Sequence, residues 1–169
     1  MVTTRMHMRA PRRTALVLAA VGLVVLALPL AWNLASPLFL TQAVSEIAPA
    51  APAQSRLAAG RFGVVDGIHK GEGAATLVRL PDGQTVLRLE DDFRVTNGPD
   101  LYVYLSGSAA PRTSAELHGT GAFEVTQLKS NMGGQNYVLP DDLDLTRFRS
   151  VVIYCRRFTT VFSTAELDS

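Results

Sequence analysis

Cysteine is almost missing from this chain: Cys155 is the only one in 169 residues, so no internal disulfide can form. A lone cysteine also rules out a C-x-x-C-H motif, and with it covalent c-type haem attachment. Positive charge is scarce where a nucleic-acid surface would need it. Residues 59–169 hold 11 basic against 14 acidic side chains, a balance of about −3, which gives no basic stripe to neutralise phosphates. No Ser/His/Asp order, nucleophile elbow or paired-carboxylate arrangement stands out, so hydrolase chemistry has no support. Met132-Gly133-Gly134-Gln135-Asn136 lacks the lysine and following helix of a P-loop. Glu90-Asp91-Asp92 and Asp141-Asp142-Asp144 lack the D-x-D-x-D-G spacing that wraps calcium, and read as solvated acidic turns.

Charge is also missing from residues 14–32, TALVLAAVGLVVLALPLAW, which follow Arg5, Arg9, Arg12 and Arg13. As a helix this run would span about 28 Å at ~1.5 Å per residue, close to the ~30 Å hydrocarbon core. Trp32 falls at the level of an aromatic belt, and the arginines stay inside. The expectation is a cytoplasmic basic tail at 1–13, a transmembrane anchor or uncleaved signal at 14–36, and a domain outside the cell membrane. A cleaved signal peptide is the alternative, with small-residue steps such as Ala51-Pro52-Ala53 downstream. No cysteine follows closely enough for a lipoprotein signal. Residues 37–58, rich in Ala and Pro with no apolar periodicity, read as a flexible linker to a single domain over 59–169.

Helical periodicity of ten or more residues is missing from 61 onward; short, often alternating apolar runs are punctuated by turn residues instead. ATLVRL (75–80) and TVLRLE (85–90) flank Pro81-Asp82-Gly83-Gln84, a hairpin signal. Asn97-Gly98-Pro99-Asp100 is a turn that launches LYVYLSG (101–107). Further strands are expected at 122–129, 136–140, 148–155 and 159–163. The spacing predicts an all-β fold, an antiparallel β-sandwich or flattened barrel, preceded by the N-terminal helix and linker.

Within this pattern, His69 with Gly73, Leu87 to Phe93, GPDLYVYL (98–105), Leu128-Lys129, QNYVLP (135–140) and SVVIYC (150–155), followed by Phe158, Phe162 and Ala165, occur in order. Together they resemble the DM-thirteen domain, an electron-transfer domain regarded as a relative of the DOMON sandwich. The resemblance covers the whole 59–169 region. One departure is Phe162-Ser163, where the family pattern implies a glycine after the phenylalanine.

Strand alternation puts Val151, Ile153 and Cys155 on one face, so Cys155 is expected to face the core, where free cysteine commonly serves as a small hydrophobe. Arg157 would share that face if the strand continued, and a guanidinium there would favour the thiolate. The resemblance implies that the Cys155 position is used, either as a bare redox thiol or as a haem ligand. It also makes His69 the better second haem ligand over His118 and Met132. Two functions follow: a membrane-anchored extracytoplasmic redox module working through Cys155 with an unknown protein partner, or a non-catalytic surface binding module with an inert buried cysteine.

Overall fold

The computed structural model describes residues 16–18, 21–29, 43–50 and 55–168. The basic tail, residues 14, 15, 19 and 20 of the apolar segment, and residues 30–42, with Trp32, and 51–54 of the expected anchor and linker lie outside the described residues. Residues 16–18 and 21–29 are helical, with their side chains exposed. Among the described residues, no helix is long and apolar enough to cross a membrane. The chain divides into two compact units, residues 1–39 and 40–169.

The second unit is antiparallel β. One sheet has the order β1-β3-β4-β8, built from Arg56–Arg61, Ala74–Arg79, Thr85–Leu89 and Gln135–Leu139. The other runs β10-β9-β6-β7, from Thr160–Glu166, Ser150–Cys155, Leu101–Ser106 and Phe123–Gln127. A two-stranded ribbon pairs β2 (Gly71–Glu72) with β5 (Arg94–Val95). The 80–84 hairpin forms as its composition predicts: Asp82 Oδ1 accepts from the Gln84 N–H, and Gly83 takes φ +90°, which an L side chain resists.

Side chains from both sheets meet in one core that includes Leu77, Leu87, Leu89, Val103, Leu105, Tyr137, Val151, Ile153 and Cys155. This is the expected sandwich. β9 is buried on both faces, because its alternate residues Val152 and Tyr154 enter a second cluster with Val65, Tyr104, Leu117 and Val161. The lid over that second cluster is α1, Ser114–Gly119, which buries Leu117 completely. It starts with a capping box: the Glu116 N–H donates to Thr113 Oγ1, and Glu116 Oε2 accepts from the Thr113 N–H.

Two β-bulges set which side chains meet. In β10, Val161 lies opposite Tyr154 and Ser163 opposite Ile153, so Phe162 is the extra residue. Parity resets there, and Phe162 and Ala165, three apart, both join the main core. In β7, Thr126 lies opposite Val103 and Glu124 opposite Tyr104, so Val125 is the extra residue. At Phe162-Ser163 the serine that stands where a glycine was expected is accommodated: Ser163 is fully buried, its Oγ donates to the Gly63 carbonyl 2.8 Å away, and a Cβ at Gly71 would strike that hydroxyl. A glycine across the contact supplies the room.

The domain begins earlier than its composition suggests. β1 starts at Arg56, and the Ala59 N–H donates to the Asp168 carbonyl (3.0 Å) while the Asp168 N–H donates back (2.8 Å), joining the edges of the two sheets. A Cβ at Gly60 would collide with the Glu166 carbonyl at this crossing. Residues 43–47, inside the region read as linker, are hydrogen-bonded to the same unit. The Val44 and Glu46 N–H groups donate to the carbonyls of Met132 (3.1 Å) and Gly134 (2.9 Å). The Glu46 carboxylate accepts from Lys129 Nζ at 2.8 and 3.0 Å and from the Asn136 N–H at 2.7 Å. Beneath it, Arg88 is only 2% exposed and donates to the Glu46 carbonyl, Asn136 Oδ1, Glu90 and Asp91. A guanidinium this buried needs such a set of acceptors.

Candidate functional site

Cys155 ends β9, paired in register with Leu101 of β6 and Thr160 of β10. It is a free thiol with no exposed surface, and it shares the main core with Val151 and Ile153, as strand alternation predicts. Among the described residues the thiol has no hydrogen-bond partner. β9 stops at Cys155, and residues 156–159 turn sharply, with Thr159 at φ +48°, a conformation costly for a β-branched residue. The strand continuation that would carry Arg157 onto the sulfur's face is therefore absent, and Arg157 is exposed in the turn.

His69 lies in the 66–70 loop. Its Nδ1 is 2.7 Å from Asp66 Oδ2, whose carboxylate also accepts the N–H groups of Ile68 and His69 at 2.7 Å. These bonds, the imidazole first, hold the Asp66 carboxyl well below the usual carboxylate range. The His69 ring rests on Phe162, centroids 4.4 Å apart, and Phe162 belongs to the same core cluster as Cys155.

The arrangement does not fit a haem. Cys155 is sealed among core side chains, His69 already holds Asp66 and Phe162, His118 belongs to the opposite face of the same sheet, and Met132 lies in the loop bonded to Ala43 and Arg94. A cleft of ≈ 540 Å³ bounded by Leu57, Leu77 and Phe148 and another of ≈ 670 Å³ bounded by Arg56, Arg61 and Glu166 include neither Cys155 nor His69. Among the described residues no group of three or more His, Cys, Asp or Glu is placed to hold a metal ion. The acidic clusters have structural partners: Asp91 and Glu90 meet Arg88, Asp92 accepts the Ala74 N–H, and Asp144 caps the 145–147 turn.

The outer face of the β6/β9 pair holds a group of aromatic side chains. Tyr104, Tyr154 and His118 contact one another edge to face, with centroids 5.5 to 5.9 Å apart. Tyr104 is 6% exposed and its hydroxyl donates to Glu124 Oε2 at 2.5 Å. Burial, then the carboxylate, holds the phenol well above its ordinary pKa. Arg156 pairs with Glu124 Oε1 at 3.3 Å and lies over the Tyr102 ring, 4.5 Å from its centroid. In the sequence Tyr102 and Tyr104 are only two alternate positions of one strand; the register, which sets Tyr102 opposite Tyr154, is what brings the Tyr154 ring onto their face.

Among the described residues, an antiparallel two-sheet sandwich with one buried thiol and a clustered aromatic face defines a β-sandwich class of domain. Residues 62–167 match the family model described as Electron transfer DM13, which covers more than half of the chain, and the chain belongs to that family. No curated protein and no solved structure matches it.

Proposed function

We propose that the chain is an electron-transfer module held at the extracytoplasmic face of the cell membrane by the apolar segment at 14–36, and that it exchanges electrons with a protein partner. The family match over residues 62–167, every strand of the sandwich but β1, supports the electron-transfer part of this reading. The geometry narrows its chemistry. Thiol–disulfide exchange needs a thiolate to reach a sulfur in line, and Cys155 has no exposed surface. If Cys155 carries an electron it does so by outer-sphere transfer through the sandwich wall. The sealed, hydrogen-bond-free sulfur favours a second reading, in which Cys155 is inert core and the domain binds a surface partner.

Film voltammetry on the full chain and on Cys155→Ser separates these. A reversible couple that disappears in a folded Cys155→Ser variant supports the thiol. A couple that persists assigns the electron to another group and leaves the module reading intact. No couple in the native chain overturns electron transfer and leaves the binding module.

A further inference from the structure

Oxidising a buried phenol by one electron is unfavourable unless its proton has somewhere to go, because a protonated radical cation would be left as an uncompensated charge in a low dielectric. The chain has four tyrosines, and their hydroxyl partners differ in kind. Tyr137 donates to the neutral amide oxygen of Gln135 at 2.7 Å, and Tyr154 is 2.8 Å from the neutral Ser114 hydroxyl. Tyr102 lies under the Arg156 guanidinium. Tyr104 alone donates to a carboxylate, Glu124 Oε2, at 2.5 Å.

That pairing depends on the β7 bulge. Without the extra residue Val125 would stand opposite Tyr104; with it, Glu124 does. Bulges are a recurrent means of re-aiming a side chain at a functional position. The other charged or titratable groups around the phenol are Arg156, which pairs with the second carboxylate oxygen, and Tyr154 and His118, whose rings touch Tyr104. His118 is exposed, so the ring triangle runs from a nearly buried phenol to the surface.

We infer that Tyr104 and Glu124 form a proton-coupled one-electron redox site, with His118 and Tyr154 as the contact through which a partner takes the electron. The partner is a high-potential one-electron acceptor of the oxidised metal-complex class. In the forward step the Tyr104 hydroxyl gives one electron to that acceptor, its O–H bond breaks, and the proton forms a new O–H bond on Glu124 Oε2. The products are a neutral tyrosyl radical, a neutral carboxylic acid and an acceptor reduced by one electron; the reverse step restores phenol and carboxylate. This rests on the electron-transfer reading and supplies what Cys155 lacks, a proton acceptor beside the redox atom.

The test is photochemical oxidation of the full chain with flash-generated tris(bipyridine)ruthenium(III), read by freeze-quench electron paramagnetic resonance and by the rate of radical formation in light and heavy water. A tyrosyl radical is expected in the native chain, with slower formation in heavy water. Tyr104→Phe should lose that signal, and Tyr137→Phe should keep it. Glu124→Gln should slow radical formation and abolish the heavy-water effect, a readout that a packing role would not move. A native yield retained in Tyr104→Phe, or a thiyl signal that disappears in Cys155→Ser, overturns the inference while leaving electron transfer standing. A native chain that gives no electron to the probe overturns both.

Discussion

Cys155 should be almost unreactive in the folded chain, to a degree set by its position. β9 lies between β6 and β10, and both of its faces are buried. Reaching the sulfur therefore requires the main core, with Val151, Ile153 and Phe162, to come apart, an opening close to global unfolding. Taking the lower end of typical domain stability, ~5 kcal/mol, and ~1.4 kcal/mol per decade, labelling should be slowed by three to four orders of magnitude relative to the unfolded chain. The assay is the labelling rate with an aromatic disulfide reagent across a urea series. The natural logarithm of the rate should rise with a slope equal to the equilibrium m-value divided by RT, because the reactive state is the unfolded one. Native labelling within about tenfold of the unfolded rate, or a slope near zero, would refute the sealed placement and restore Cys155 as an accessible thiol. Cys155→Ser should cost about 1–3 kcal/mol, since it buries a hydroxyl where the thiol finds no partner.

Glu46 is held below its ordinary value of 4.5, first by the Lys129 hydrogen bond. A depressed carboxylate stabilises the docked 43–47 segment above its unfolded pKa and loses that contribution as pH falls through the folded value, so limited proteolysis should open this segment on acidification below 4.5. Glu46→Gln should open it at neutral pH. Thr159→Gly should raise stability by about 1 kcal/mol in urea denaturation, because glycine takes the positive φ that threonine resists. Gly60→Ala should destabilise by about 1–3 kcal/mol, as the new methyl meets the Glu166 carbonyl.

The hairpin at 80–84 and strands β6, β8 and β9 were legible in the sequence because turn chemistry and alternation act locally. β1 was not: Arg56-Leu57-Ala58-Ala59-Gly60-Arg61 has small residues where alternation would show, and it is a strand because the edges of β3 and β10 need a partner. The six-residue α1 is too short for a helical period, although Thr113-Ser114-Ala115-Glu116 carries a capping-box signature. The core-facing direction of Cys155 followed from alternation alone. The position of Arg157 depended on where β9 ends, and the contact of His69 with Phe162 on a bulge; neither is written in local spacing. The Tyr104–Glu124 pair is hidden for the same reason, since an extra residue in one strand changes which side chain it faces.

The reciprocal bonds between Ala59 and Asp168 have a consequence for self-association. Along that seam the backbone donors of both sheets are already satisfied, so a neighbouring copy finds no template on which to add a strand. Strand addition is left to the far margin, where β7 and β8 are the outer strands of the two sheets.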